Sequence, residues 1–165
     1  MKKFIKEWGG SILLCLSIIF IKVAVFDVAE VSGVSMNPTL QDEDKLIIEK
    51  VTRYGNIYNR GDIVILESHR ENKETGEGKY WIKRIMALPG ETIECKNNKL
   101  YINDEEFKES YIPEGTFTTD ISRIEVPEGK MYVLGDNRTR SGDSREIGFV
   151  DYKDIYGKYI YNLNK

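Results

Sequence analysis

The sequence predicts a mostly β domain with a small inserted hairpin region, preceded by one N-terminal transmembrane helix. Three observations carry that expectation. Residues 9–29 are apolar apart from Ser11, Ser17, Lys22 and Asp27. From residue 31 onward the apolar side chains recur with a period of two, in runs rich in β-formers. Turn signals such as Leu88-Pro89-Gly90-Glu91 and Asn97-Asn98 cut those runs into strand lengths. The 165 residues leave room for one domain, large enough to bury a core, and an appendage.

The N-terminal element comes first. Residues 1–8 carry Lys2, Lys3 and Lys6 against the single acid Glu7. About 20 helical residues at ~1.5 Å each cross a hydrocarbon core roughly 30 Å thick. Residues 9–26 fall slightly short of that, and Lys22 can snorkel to the headgroups. Lysines ahead of the span predict a cytoplasmic N-terminus at 1–8, a transmembrane anchor at 9–29 and an extracytoplasmic domain at 30–165. A cleavable signal peptide needs small residues at −3 and −1, but cleavage after Ala24 or Ala29 would place Lys22 or Asp27 at −3. A surface-packed helix needs a polar face, which the segment lacks. An uncleaved signal anchor is the remaining reading.

Residues 45–51 and 62–66 read as strands, joined by the polar and aromatic connection 53–61. Residues 71–79 are expected to form an exposed hairpin tip before a strand at 80–87, which the Leu88–Glu91 turn ends. Residues 92–95 and 99–102 flank Asn97-Asn98 as a hairpin. Residues 107–124 are less periodic and are expected to be a small insert covering one side. Residues 130–135 form another predicted strand, and the aromatic-rich run 152–162 either closes the sheet or begins a short helix.

Composition removes several functions. Charged residues make up 31% of the chain, yet the net charge is only −3. No basic tract suggests nucleic acid, and no glycine-rich phosphate loop is present. Asp42-Glu43-Asp44 lacks the spacing of a calcium loop and reads as a solvated turn. Cys15 in the apolar segment and Cys95 in the later domain are poorly placed to pair, and two thiolates cannot complete a metal site. Neither metal nor cofactor is expected, and nothing in the pattern specifies an oligomeric state.

The chemistry centres on Ser35 within Val31-Ser32-Gly33-Val34-Ser35-Met36-Asn37-Pro38-Thr39-Leu40. Pro38 fixes its own φ and biases Asn37 to extended geometry, while Gly33 reaches angles closed to other residues. Such a turn can hold a serine at one angle to a carbonyl, although Ser-x-x-Pro also occurs in ordinary loops. A serine nucleophile needs a proton acceptor. The only histidine, His69, lies in the polar run 67–73, which argues against a Ser-His-Asp triad. Lys83, flanked by the apolar residues Trp81, Ile82, Ile85 and Met86, is the alternative base. Burial there would favour its free amine, whereas a lysine snorkelling from a strand to solvent fits the same pattern.

Three stretches together resemble one family. Ser35-Met36-Asn37-Pro38-Thr39-Leu40 resembles the Ser-Met-x-Pro-Thr box of bacterial type I signal peptidases. Lys83-Arg84-Ile85-Met86-Ala87-Leu88-Pro89-Gly90-Glu91 is similar to their lysine box. Residues 135–148, beginning Gly135-Asp136-Asn137-Arg138 and continuing through Ser141, Asp143, Ser144, Arg145 and Gly148, resemble their C-terminal box. Gly61-Asp62-Ile63-Val64 is a weaker fourth match. The resemblance implies a signal-peptidase-like β domain in the compact form common in Gram-positive bacteria.

It also implies roles for residues: Ser35 as nucleophile, neutral Lys83 as general base and Ser141 as the hydroxyl that orients the lysine. Asp143 and Arg145 would form a structural ion pair, and the Ser35 backbone N–H would serve the oxyanion. Some members carry a serine where this chain has Gly33, so the second oxyanion donor is left open. The implied activity is cleavage of signal peptides from exported preproteins after small residues at −3 and −1, on the outer face of the plasma membrane. The partners would be preprotein signal peptides and the lipid bilayer. A self-cleaving repressor-type protease and a non-catalytic, membrane-tethered peptide-binding module are the alternatives.

Overall fold

The computed structural model describes residues 2–67 and 80–165, with side chains described from Trp8 onward except at 20, 21 and 23. The expected hairpin tip at 71–79 and His69 lie outside the described residues. Helix α1 runs Lys2–Val25. Among the described residues no helix is long and apolar enough to cross a membrane. The helix stops short of the predicted end at residue 29. Phe26-Asp27-Val28-Ala29-Glu30 alternates in exposure and forms strand β1, Phe26–Glu30. Its partner is β2, Lys45–Glu49, in a register that sets Phe26 opposite Glu49. Strand pairing therefore captures residues that apolarity alone assigns to the span.

The main sheet is antiparallel and has seven strands. It adds β3 (Ile63–Glu67), β4 (Tyr80–Ala87), β9 (Lys130–Leu134), β10 (Val150–Asp151) and β11 (Ile155–Asn162) to the first two strands. The spatial order is β1-β2-β11-β3-β4-β9-β10. β1 and the first half of β4 are three strands apart in that order, yet both line one cleft. The sheet therefore curls on itself, as the right-handed twist of strands encourages.

A second, four-stranded sheet is built from β5 (Thr92–Lys96), β6 (Lys99–Ile102), β7 (Glu105–Phe107) and β8 (Ile121–Glu125), in the order β7-β6-β5-β8. The predicted turn is present: Asn97 and Asn98 both have positive φ, as a two-residue hairpin needs. Met86, Ala87 and Leu134 from the main sheet pack with Ile93, Leu100 and Ile102 from the smaller one, so a shared core joins the sheets. Of the expected insert at 107–124, the C-terminal part is β8, which pairs with β5.

The run at 152–162 resolves to a short 3₁₀ turn, Tyr152–Asp154, followed by β11. That strand lies inside the sheet, between β2 and β3, rather than at its edge. Gly157 explains how it fits. A Cβ there would lie 2.5 Å from Ile48 Cγ2 and 2.6 Å from the Glu49 carbonyl oxygen, and a backbone oxygen in a paired strand has little freedom to yield. Gly157→Ala is expected to cost about 2 kcal/mol through overpacking and to lower Tm by roughly 5 °C. A thermal melt that matched wild type would show that β11 does not approach β2 this closely.

Candidate active site

The loop from Val31 to Asp44 is closed by its own backbone. Val31 N–H donates to the Asp44 carbonyl at 2.8 Å, and Glu43 N–H donates to the Val31 carbonyl at 2.9 Å. Met36 and Leu40 project from it into a core with Leu46 and Ile63. Burying each such side chain stabilises the loop by roughly 1.5–3 kcal/mol. The Asn37–Pro38 peptide is cis. Gly33 has φ +96°, and its N–H donates to Asp42 Oδ1 at 2.7 Å. Asp44 is buried, and its carboxylate accepts from the Gln41 N–H at 2.8 Å. Two of the acids read as a solvated turn thus hold the serine loop closed, because their carboxylates satisfy backbone donors that the loop would otherwise strand.

Lys83 arrives from β4, opposite Val64 of β3. Its Nζ lies 3.0 Å from Ser35 Oγ and donates to the Ile82 carbonyl at 2.9 Å. The residue is only 4% exposed. Desolvation pulls its pKa from 10.5 down to about 8, against the opposing pull of the Asp143 and Asp136 carboxylates. Trp81 supplies one apolar wall, with its ring centroid 5.7 Å from Nζ. Ile85 and Met86, read as further walls, are buried in the two neighbouring cores instead. Met36, Ile48 and Ile65 line the cleft in their place.

That cleft has a volume of about 320 Å³ and contains both Ser35 and Lys83. On one side it is bounded by β1, on the other by Tyr80, Trp81 and Ile82 of β4. Pairing of β4 with β9 starts only at Arg84, so among the described residues 81–83 pair in the sheet with β3 alone. Among the described residues the Ser35 N–H meets no acceptor. The site therefore offers a hydroxyl against a partly neutral amine, a free backbone donor and an open strand edge.

Residues 135–148 hold these pieces together. Asn137 donates twice to the serine loop, from Nδ2 to the Val34 carbonyl and from its backbone N–H to the Ser35 carbonyl, both at 3.0 Å. Asp136 takes both arms of the Arg84 guanidinium at 2.9 and 2.6 Å, and Arg84 also donates to the Gly61 carbonyl. Asp143, fully buried, receives Arg145 through two 2.8 Å bonds and the Gly135 N–H at 3.0 Å. The same carboxylate caps the short helix Ser144–Ile147. Arg138 pairs with Glu109 and donates to the Gly135 carbonyl.

Gly135 has a steric reason to be glycine. A Cβ there would overlap Ser141 Oγ at 2.1 Å and approach the Ser35 carbonyl at 2.6 Å. Ser141 is therefore packed against the Gly135 backbone, beside the Ser35 carbonyl. Its hydroxyl donates to the Gly142 carbonyl, at 3.5 Å, and not to Lys83; the Ile82 carbonyl is the group that orients the amine here. The geometry brings Ser35 and Lys83 together and joins Asp143 to Arg145, as the motifs suggested.

Sequence reading passed over Arg84, Asp136, Asn137 and Arg138. One signal was available: an arginine beside Lys83 inside an apolar strand needs a buried acid, and the third box supplies acids. Asn137 gave no comparable signal, since nothing in the sequence reveals which carbonyls an amide will meet.

Comparison with known proteins agrees with this geometry. Residues 5–163 match the family model described as signal peptidase, peptidase S26. The chain is 36% identical to signal peptidase I of Bacillus licheniformis over 94% of its length and 87% of the relative's. It is 38% identical to signal peptidase I P of Bacillus subtilis subsp. natto over the same shares. A crystal structure of a signal peptidase I from Enterococcus faecalis V583 is 34% identical, with a TM-score of 0.52 over 62% of this chain and 96% of that one. The matched boxes, the curled sheet and these relatives agree: the chain belongs to the signal peptidase family, peptidase S26.

Proposed function

We propose that this chain is a membrane-anchored serine endopeptidase that cleaves signal peptides with Ser35 as nucleophile and neutral Lys83 as general base. The observation that carries the reading is the 3.0 Å approach of Ser35 Oγ to a buried lysine amine whose pKa is pulled down to about 8. A neutral amine keeps two N–H groups and one lone pair. The Ile82 carbonyl takes one N–H, which leaves the lone pair to accept the Ser35 proton as Oγ attacks the scissile carbonyl. The Ser35 N–H, without an acceptor among the described residues, is available to the developing oxyanion. The lysine ammonium then protonates the leaving amine, and the acyl ester on Ser35 is hydrolysed by water with Lys83 again as base.

The open edge at 81–83 supports binding of the substrate as an added strand, and the apolar walls support small side chains at −1 and −3. The helix α1 is proposed as the membrane anchor, with residues 1–8 cytoplasmic and the β domain outside. It continues directly into β1, which lines the cleft, so the catalytic groups would sit where a signal peptide leaves the bilayer. Tethering there raises the effective concentration of each partner.

The dyad has three consequences for measurement. Ser35→Ala and Lys83→Arg are each expected to abolish cleavage of a preprotein with the fold intact, the second because guanidinium stays protonated. In wild type about a tenth of Lys83 is neutral at pH 7, so kcat/KM should rise with pH to a plateau above about 8. Because the folded pKa lies below the unfolded value, holding Lys83 charged destabilises the protein at neutral pH, by about 3 kcal/mol. Lys83→Met should therefore melt higher than wild type near pH 7, with the gap closing as pH rises from about 8 towards 10.5. A rate near wild type for Lys83→Arg, or a flat pH profile, would remove Lys83 as the base. Topology is checked separately: protease added to intact spheroplasts should digest the β domain, and full protection would rule out the outward orientation.

A further inference from the structure

We infer that Asn137 is a positioning residue for the oxyanion: its side-chain amide holds the Val34–Ser35 peptide plane so that the Ser35 N–H faces the scissile carbonyl. The inference rests on the proposed role of Ser35 and goes beyond it to the group that aims its backbone. In a planar trans peptide the carbonyl and the N–H point in opposite directions. The Val34–Ser35 bond is trans, and its carbonyl accepts from Asn137 Nδ2 at 3.0 Å. The Ser35 N–H must therefore point away from Asn137. No residue of 135–148 lines the cleft, whereas Ser32, Ser35 and Met36 do, so the direction away from Asn137 leads to the cleft side. The same N–H meets no acceptor among the described residues, which leaves it free for a charge that appears only during reaction.

Neighbouring contacts explain why one side chain is needed. Gly33, at φ +96°, is the loosest joint before this peptide, and only the bond from its N–H to Asp42 fixes it on that side. On the other side Asn137 grips two successive carbonyls, Val34 by its side chain and Ser35 by its backbone. The amide is itself steadied: its Oδ1 accepts from Thr139 Oγ1 at 3.4 Å, and its carbonyl accepts from the Arg140 N–H. The Asn37 N–H also donates to the Val34 carbonyl, at 3.2 Å, so without the shorter Nδ2 bond the Val34–Ser35 plane is held by that one longer bond, and the N–H loses its aim while Ser35 Oγ still reaches Lys83.

The test uses Asn137→Asp, which is nearly isosteric, removes the side-chain donor and keeps the backbone bond to Ser35. Its kcat should fall about 10- to 100-fold with KM within about twofold, the loss being that of an oxyanion donor misdirected rather than deleted. Affinity for a peptide aldehyde ending in alanine, which forms a tetrahedral adduct on Ser35, should fall by a similar factor. Affinity for an uncleavable peptide should not change, and the pH profile should keep its wild-type midpoint because Lys83 is untouched. Asn137→Gln, which retains an amide donor, should recover part of the rate. Amide hydrogen exchange in wild type gives a readout that needs no variant: the Ser35 N–H should exchange freely until the aldehyde is added, then slow. Wild-type kcat in Asn137→Asp, an equal loss of uncleavable-peptide binding, a shifted pH midpoint, or a Ser35 N–H already protected in the free enzyme would each overturn the assignment. Cleavage by Ser35→Ala would instead overturn the reading beneath it.

Discussion

The structure depends on keeping one lysine amine out of water beside one serine hydroxyl. A solvated lysine is charged at neutral pH and cannot accept a proton. Burial of Lys83 removes that obstacle, and the 3.0 Å contact with Ser35 gives the free amine a proton to take. With its pKa pulled down by burial, Lys83 is expected to leave the protein less stable at neutral pH than an apolar residue at the same place would. Nearby carboxylates limit how far the pKa can fall. Asp143 and Asp136 pull it upward, but each is already engaged by an arginine, Asp143 by Arg145 and Asp136 by Arg84. Those pairings confine negative charge that would otherwise hold the ammonium form.

The three motifs are thus parts of one object rather than three separate sites. The first carries Ser35, the proposed nucleophile, on a loop closed by Asp42 and Asp44, and the second carries Lys83, the proposed base, on a strand. The third supplies no reacting group in this geometry. It secures the serine loop through Asn137, the lysine strand through Asp136 and Arg84, and the smaller sheet's side through Arg138 and Glu109. Breaking one partner of a buried pair strands the other charge, at about 3–5 kcal/mol. Tyr111 extends the connection: its ring lies 3.9 Å below the Arg84 guanidinium, and its hydroxyl meets Glu109. Residues far apart in the chain therefore meet behind the dyad in one connected polar network.

The cleft has a related origin in the curl of the main sheet. β1 follows α1 without a linker, and the curl carries it round to face the first half of β4. Tyr156 of β11 spans that gap, hydrogen-bonding Asp27 of β1 and packing against Tyr80 of β4 at 4.9 Å between ring centroids. Among the described residues the same strand geometry leaves residues 81–83 paired with β3 alone, beside the cleft. Fold and cleft are consequences of one bend.

The sequence by itself determined the period-two domain after residue 31, the hairpin at Asn97-Asn98 and the two side chains proposed to react, because each is written in local pattern or in motif. It placed Asp143 with Arg145 only through the resemblance of residues 135–148 to the C-terminal box of the family. Other features were decided only by the tertiary structure. Helix α1 ends at Val25 because strand pairing with β2 captures residues 26–30, a competition invisible to hydropathy. β11 lies inside the sheet because Gly157 permits a close approach to β2 that no local propensity records. Ser141 turns towards the Gly142 carbonyl, and the Ile82 carbonyl orients Lys83, since the nearest acceptor depends on packing around Gly135. The hold of Asn137 on Val34 joins residues 103 apart in sequence, and such a contact exists only once the sheet has curled.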